Sequence, residues 1–277
     1  MKHLYLNLKR FDIPAALGGV NRMSAPGEWA GWIVGSTQKA LKQYDREEAE
    51  FIQFFPEAHL LGAAMAKDED SPVQIGCQGV YRMDAGADGF GAFTTNCPAA
   101  AAKALGAQAV IIGHCEERRD KAGILEEAGV FDTAAVNRIL NQEIRKAVAR
   151  GLKVLYCVGE TGEEQDRWQE VLREQLQVGL QDVEGSGIVI GYEPVWSIGP
   201  GKTPADKAYI TRTARFIKEV TGGLEVVYGG GLKADNAEML ASIEEIDGGL
   251  IALTRFTGEI GFYPQEYLEI ISAYLGK

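Results

Sequence analysis

Four polar side chains stand where short apolar runs, typical of buried parallel strands, come to an end. Asn7 and Lys9 close the first such run, His114 ends the fourth, and Glu193 follows the sixth. An amide, an ammonium, an imidazole and a carboxylate in one pocket can move a proton next to a carbonyl, because they supply a base, an electrophile and a charge that holds an anion. Each also has a plain alternative as a turn cap, a solvated charge or a core histidine. Their joint occurrence at strand ends favours a catalytic pocket.

The segment around Glu193 has an unusual composition. It reads GYEPVWSIGPGKTP over residues 191–204, with a stiff Pro-Val-Trp start and a Gly-Pro-Gly tip. Rigid ends and a glycine tip suit a hinged flap that closes over a site. The plain alternative is a turn that follows a strand and carries a surface carboxylate. The segment therefore predicts a lid beside Glu193.

The composition argues against several function classes. The 277 residues are 46% hydrophobic and 24% charged, an ordinary balance for a globular protein with one large core. A formal net charge of -11 argues against nucleic-acid binding, which needs a basic surface. The longest apolar runs are far shorter than the about 18 residues of a membrane span, and Lys9-Arg10 stands where a signal peptide would be apolar. We expect a cytoplasmic protein that binds neither nucleic acid nor membrane.

The four cysteines do not form a recognisable metal or disulfide pattern. Cys77, Cys97, Cys115 and Cys157 are far apart and include no Cys-x-x-Cys pair. We therefore expect reduced thiols and no bound metal. Cys115 is interpreted as a small packed residue, since no second histidine lies near it in the sequence to activate a nucleophile.

Strand-like runs alternate with amphipathic stretches from one end of the chain to the other. The predicted strands are 3–8, 49–55, 73–78, 107–114, 152–159, 187–192, 224–230 and 248–253, and the predicted helices include 134–150, 163–183, 206–220, 234–243 and 264–274. This alternation predicts an α/β fold with parallel strands and right-handed crossovers. Eight repeats favour a closed (β/α)8 barrel over an open sheet, and one domain over residues 1–277. Residues 11–28 and 120–132 look like insertions, each after the carboxyl end of a strand.

Several of these motifs resemble the triosephosphate isomerase family over essentially the whole chain. They are NLK (7–9), IIGHCEERR (111–119) and YEPVWSIGPGKT (192–203), together with CVGET (157–161), GAFTTN (91–96) and YGGG (228–231). The lid motif is the most specific of them. The resemblance implies a TIM barrel that isomerises a small phosphorylated sugar without a cofactor or a metal, in glycolysis and gluconeogenesis.

The resemblance also implies roles for individual residues. Glu193 would be the base, His114 a neutral electrophile, Lys9 an electrostatic anchor and Asn7 a donor on the carbonyl side, with Glu116 in support. Thr94 lies in the loop by which one subunit of the family reaches the site of another. A homodimer is therefore implied.

The chain departs from the family where the substrate phosphate is held. Family members use backbone N–H groups of the lid glycine, of a serine after YGG, and of a Gly-Gly pair after the eighth strand. Here the lid offers Gly199, the serine position is Gly231, and the pair aligns with Ala252 and Leu253. Backbone N–H groups survive substitution, so an anion site is still expected. Arg255 could supply a guanidinium instead, or be a solvated surface residue.

Three hypotheses follow from these observations. The first is an isomerase that interconverts glyceraldehyde 3-phosphate and dihydroxyacetone phosphate. The second keeps this chemistry with another small sugar phosphate, such as a tetrulose phosphate, because the phosphate end is altered. The third is a non-catalytic barrel that binds a phosphorylated sugar, against which the four polar residues at the strand ends count.

Overall fold

Eight parallel strands close into a barrel in the order of the sequence. The computed structural model describes residues 1–86, 90–184, 187–199 and 202–277. The strands are β1 (Lys2–Asn7), β2 (Ala49–Phe55), β3 (Val73–Cys77), β4 (Ala109–Ile112), β5 (Lys153–Val158), β6 (Ile188–Tyr192), β7 (Val226–Tyr228) and β8 (Gly248–Ile251). β8 pairs with β1 in parallel and completes the ring. The predicted (β/α)8 barrel is thus confirmed, and each predicted strand is present, although 107–114 and 224–230 shorten to β4 and β7.

Helices surround the barrel and return the chain to its amino end. They are α1 (Trp29–Leu41), α2 (Leu60–Ala66), α3 (Ala99–Ala104), α4 (Cys115–Glu127), α5 (Thr133–Ala149), α6 (Trp168–Gly179), α7 (Lys207–Thr221), α8 (Ala237–Ala241) and α9 (Pro264–Leu275). Short 3-10 helices lie at Ala15–Leu17, Glu57–His59, Gly162–Arg167 and Val195–Ser197. Across the described part of the chain, no helix is long and apolar enough to span a bilayer.

Two predicted helices are shorter in the structure than in the prediction, for local reasons. The stretch 163–183 begins as a 3-10 turn, because Thr161 and Glu164 form a capping box there, and continues as α6. The stretch 234–243 is helical only in α8. Its first residues form a turn in which the Asn236 side chain accepts the backbone N–H of Lys233.

The two apparent insertions have different structures. Residues 11–28 form a folded loop after β1, in which Asn21 donates to the carbonyl oxygens of Asp12 and Ser24. Residues 120–132 are mostly helical, because α4 runs through Glu127 before a turn leads to Asp132, the N-cap of α5. The second segment therefore lengthens a helix that starts at the carboxyl end of β4.

The strands alternate between two cores, as the period of a β-strand requires. Tyr5 of β1 packs inside the barrel with residues such as Ile111 and Leu155, whereas Leu4 and Leu6 face the surrounding helices. Asn7 is two residues beyond Tyr5, so its side chain lies on the inner face at the carboxyl end of the barrel.

The amino end of the barrel is closed by a buried polar cluster. Glu50 accepts hydrogen bonds from the Tyr5 hydroxyl at 2.6 Å and from Lys153 Nζ at 2.6 Å, and its carboxylate lies 2.9 Å from His3 Nδ1. Burial raises the pKa of Glu50, but hydrogen bonds from His3, Lys153 and Tyr5 outweigh it and lower that pKa to about 2.

Candidate active site

Asn7 and Lys9 form a tight turn at the carboxyl end of β1. Lys9 has a backbone φ of 40°, in the left-handed region that a residue with a side chain rarely adopts. The turn is held by the Asn7 Oδ1 atom, which accepts the Lys9 N–H at 3.0 Å, and by Gln78 Nε2, which donates to the Lys9 carbonyl at 3.0 Å. Asn7 is 4% exposed. Its Oδ1 atom is therefore occupied, and its Nδ2 group is the part that can donate to a ligand.

His114 follows a glycine that the geometry requires. Gly113 has φ of 81°, and a Cβ atom there would lie 2.7 Å from the Cys157 carbonyl oxygen. Arg118 holds this turn from behind, with Nε donating to the Gly113 carbonyl at 2.8 Å and Nη2 to the Cys157 carbonyl at 2.9 Å. The position of the imidazole is thus fixed by backbone contacts from both β4 and β5.

A buried acidic pair supports the same turn. Glu117 Oε2 accepts the Gly113 N–H at 2.6 Å, and Lys121 Nζ bridges Glu117 at 2.6 Å and Glu143 at 3.1 Å. Burial and the neighbouring charge of Glu117 raise the pKa of Glu143 to about 9. Glu143 is therefore protonated at neutral pH, while Glu117 carries the charge that Lys121 balances.

The His114 ring lies between a helix N-terminus and a carboxylate. His114 is the N-cap of α4, and its Nδ1 atom accepts the Glu116 N–H at 3.3 Å. A nitrogen that accepts from a backbone N–H carries no proton, so the neutral tautomer has its hydrogen on Nε2. Nε2 lies 3.2 Å from Glu193 Oε1. The ring can therefore donate towards the inside of the pocket.

Glu193 is a buried carboxylate at the end of β6. It is 2% exposed, and its Oε2 atom accepts the backbone N–H of Cys115 at 2.9 Å. Burial raises the pKa of Glu193, although His114, the Cys115 N–H and Lys9 act in the opposite direction. A carboxylate with a raised pKa in a mostly dry pocket is a stronger base than one in water.

Lys9 and Glu116 complete the charged groups at this end of the pocket. Lys9 Nζ lies 3.7 Å from Glu116 Oε1, and the Glu116 side chain is 65% exposed. A partly exposed pair of this kind contributes little to stability. Its effect is to orient the ammonium at the mouth of the barrel, on the same side as His114 and Glu193. The structure thus brings together all four residues that the sequence placed at strand ends.

Cys115 lies beside the two titratable groups. Burial and the charge of Glu193 raise the pKa of the Cys115 thiol to about 12, so it is a thiol at neutral pH and a poor nucleophile. One ligand atom each from His114, Cys115 and Glu193 lie within 4.8 Å of one another, close enough to surround a cation. Binding would require the thiol to lose its proton.

The start of the lid is anchored to a buried glutamate that the sequence analysis did not single out. Glu160 has no exposed surface, and its Oε1 atom accepts from Trp196 Nε1 at 2.7 Å, the Tyr209 hydroxyl at 2.9 Å and the Tyr192 hydroxyl at 3.0 Å. Trp196 belongs to the predicted lid. The lid tip at Pro200 and Gly201 lies outside the described residues.

At the carboxyl ends of β7 and β8, where the resemblance places the substrate phosphate, several backbone N–H groups are free of partners among the described residues. The N–H groups of Gly231, Ala252 and Leu253 make no hydrogen bond to any described residue. Gly231 has φ of 100°, a conformation that suits glycine. Gly199, the lid glycine, has φ of 115°. Several N–H groups without acceptors at the carboxyl ends of β7 and β8 are suited to bind an anion.

Arg255 is occupied by other contacts. Its guanidinium forms an ion pair with Glu266, in which Nε donates to Oε1 at 2.8 Å, and it stacks 3.7 Å from the Tyr263 ring centroid. The segment after β8 forms a hairpin in which Arg255 pairs with Gly261. The guanidinium is thus committed to the hairpin and α9.

The described residues of the loop between β3 and α3 include several exposed side chains. Thr94 is exposed, and Phe90 nearby is 92% exposed. Within the loop, the Phe93 ring packs edge-on against Tyr81, with centroids 5.7 Å apart.

Three supporting residues could not be assigned from the sequence. Gln78 holds the β1 turn, Glu160 holds the lid, and Arg118 holds the His114 turn. The only signal for Glu160 was its place in the CVGET motif.

Comparisons with known proteins agree on one family. The family model described as Triosephosphate isomerase matches residues 32–273. The chain is 36% identical over 194 residues to a triosephosphate isomerase of Treponema pallidum, covering 65% of this chain and 71% of the relative. It is 31% identical over 236 residues to that of Syntrophotalea carbinolica, covering 80% and 85%. A crystal structure of triosephosphate isomerase from Bartonella henselae superposes with a TM-score of 0.72 at 23% identity, over 99% of this chain and 98% of the other.

Proposed function

This chain belongs to the triosephosphate isomerase family of isomerases, and we propose that it interconverts glyceraldehyde 3-phosphate and dihydroxyacetone phosphate through an enediolate. The observation that carries the proposal is the contact between Glu193 and His114, a buried carboxylate 3.2 Å from an imidazole nitrogen. A base and a neutral donor at this distance can act on adjacent carbon and oxygen atoms of one small substrate. The proposed reaction needs no cofactor.

Glu193 is the proposed base that takes the proton from carbon. In the structure its Oε2 atom is bound to the Cys115 N–H at 2.9 Å, so this contact must be given up before that oxygen can face a substrate carbon. Burial, which raises the pKa of Glu193, makes the released carboxylate more basic. The reaction cycle therefore includes a movement of Glu193, which fits its place at the start of the lid.

His114 is the proposed electrophile. Its Nδ1 atom accepts the Glu116 N–H, which leaves the Nε2–H to polarise the substrate carbonyl and to pass protons between the two oxygens. Lys9 offsets the negative charge of the enediolate, and the Asn7 amide donates to the same oxygens. Glu116 orients Lys9 across a distance of 3.7 Å.

The substrate phosphate is proposed to bind at the backbone N–H groups of Gly231, Ala252 and Leu253, with Gly199 added when the lid closes. These N–H groups have no acceptor among the described residues, as an anion site requires. A four-carbon ketose phosphate is the second candidate. It is favoured by Ala252 and Leu253, because these side chains change the space around the phosphate where the family has glycine.

We also propose a cytoplasmic homodimer. The four cysteines are free thiols, which fits a reducing compartment. The exposed loop that carries Phe90 and Thr94 offers a contact surface for a second copy. Sedimentation analysis of the parent and of Thr94→Arg tests the dimer, since a bulky charge in the contact should yield monomers. The triose phosphate reaction would place the enzyme in glycolysis and gluconeogenesis.

An isomerase assay on a panel of three- to five-carbon sugar phosphates tests the proposed substrate. We expect the highest kcat/KM for the triose phosphates. A higher value for a tetrulose phosphate would instead establish the second candidate. Absence of turnover on every compound in the panel would contradict the proposal, and Glu193→Gln serves as the inactive reference.

A further inference from the structure

We propose that Lys233 is a substrate-binding residue whose ammonium holds the anionic end of the substrate. This inference rests on the proposed function, because it adds a side-chain charge to the N–H groups assigned there to the phosphate. The need for such a charge is physical, since a chain with a net charge of -11 repels a phosphorylated substrate unless local cations offset that field. Lys9, at the end of β1, is already paired with Glu116 at 3.7 Å.

The backbone of Lys233 is held rigidly next to the phosphate end. Asn236 clamps the turn, since its Oδ1 accepts the Lys233 N–H at 2.8 Å and its Nδ2 donates to the Gly231 carbonyl at 2.9 Å. Leu232 has no exposed surface, and its N–H donates to the Leu250 carbonyl of β8 at 3.0 Å. The lysine therefore starts from a fixed point between the ends of β7 and β8.

The side chain of Lys233 returns over Gly231. A Cβ atom built on Gly231 would lie 3.5 Å from Lys233 Cε, so the lysine stem lies beside the residue where the family has a serine. Nζ is one bond beyond Cε. The ammonium therefore belongs to the same turn as the Gly231 N–H, and the proposal has one anion contact both groups.

The charge of Lys233 is not committed to a carboxylate. Its Nζ lies 4.4 Å from the centroid of the Phe256 ring, and no acidic side chain of the described residues lies within 4.0 Å of it. The ring face attracts the ammonium without using its N–H donors. Arg255, one residue before Phe256, differs because Glu266 neutralises it. Lys233 is thus a positioned cation that remains available to an anion.

The position of Lys233 offers a reason why this chain can have Ala252 and Leu253 where the family has a pair of glycines. A phosphate that receives a charge-assisted hydrogen bond from Lys233 depends less on close approach to the backbone at Ala252 and Leu253. The Phe256 ring comes from the hairpin after β8, so the same segment that replaces the Gly-Gly pair also positions the ammonium.

Binding of inorganic phosphate tests the inference without using turnover. We would measure its dissociation constant by calorimetry for the parent, Lys233→Met, Lys233→Arg and Phe256→Leu. Lys233→Met should weaken phosphate binding about 10- to 100-fold, the loss of a charged hydrogen bond. Lys233→Arg should retain most of the affinity, and Phe256→Leu should weaken it about 2- to 5-fold by releasing the ammonium.

Steady-state kinetics with the preferred sugar phosphate supply the second readout. Lys233→Met should raise KM and leave kcat within about 3-fold, because the lysine would bind the substrate and the transition state equally well. Lys39→Met, which removes an exposed lysine of α1, is the matched control and should behave like the parent. Equal phosphate affinity in the parent and Lys233→Met, or a parent that binds no phosphate, would overturn the inference. A parent that binds phosphate through Lys233 but turns over no sugar phosphate would overturn only the proposed function.

Discussion

The proposed chemical end and the proposed phosphate end of the pocket are built on different principles. At the chemical end, side chains contribute the functional atoms, and each is fixed by neighbours, as Gln78 fixes Lys9 and Arg118 fixes the His114 turn. At the proposed phosphate end, backbone N–H groups are available at Gly231, Ala252 and Leu253. The side chains at these three positions differ from the family pattern. Under the proposed function, residue identity matters where a side chain reacts or, as for Lys233, carries the binding charge. It matters less at positions that offer only a backbone N–H.

The largest expected effect is at the chemical end. Glu193→Gln should lower kcat/KM by roughly 100- to 10,000-fold, the range for loss of a general base. The amide keeps the shape of the side chain and can still accept the Cys115 N–H, so circular dichroism and melting temperature should stay close to the parent. Retention of more than about a tenth of the activity would exclude Glu193 as the base.

The lid anchor should give the next largest effect. Trp196→Phe removes the indole donor to Glu160, a charged hydrogen bond worth about 1.5–3 kcal/mol, so kcat/KM should fall about 10-fold or more. Tyr209→Phe is the matched control, because it removes a donor to the same carboxylate from α7, outside the lid. Equal losses of kcat/KM in the two variants would show that the hydrogen bonds to Glu160 only stabilise the fold and do not position the lid.

The acidic pair behind His114 predicts a pH-dependent stability. The pKa of Glu143 is raised to about 9, so its stabilising contribution is complete below its unfolded value near 4.5 and is lost as the pH rises through about 9. Glu143→Gln cannot ionise and avoids that loss. Its melting temperature relative to the parent should increase between pH 5.5 and pH 9, by about 2–4 °C for each 1 kcal/mol.

Melting curves at several pH values check this prediction. Glu126→Gln, at an exposed site on α4, is the control and should follow the parent throughout. A parallel pH dependence in Glu143→Gln and the parent would mean that Glu143 is ionised in the folded protein.

The smallest expected effect is at the phosphate end. Leu253→Gly should change KM for a triose phosphate by less than about 3-fold, because the backbone N–H that binds the anion is still present. Steady-state kinetics on triose and tetrulose phosphates check this. A large gain for triose phosphates would show that Leu253 occupies phosphate space and would weaken the contrast between the two ends.

Much of this protein was predictable from local sequence patterns. The eight strands are short, apolar and regularly spaced, and the barrel followed from their alternation with helices. Asn7, Lys9, His114 and Glu193 were found because parallel strands of a barrel bring their carboxyl ends together. The single domain over residues 1–277 and the roles of these residues stay predictions.

Tertiary structure decided what depends on contacts between distant parts of the chain. Glu160 anchors Trp196, 36 residues away, and Glu193 accepts the N–H of Cys115, 78 residues away. No local pattern specifies such pairs, because hydrogen-bond partners are set by how strands and helices pack and not by spacing along one element. The sequence likewise could not show that the Lys233 ammonium is available to a ligand. That availability depends on which side chains of the hairpin between β8 and α9 lie beside it.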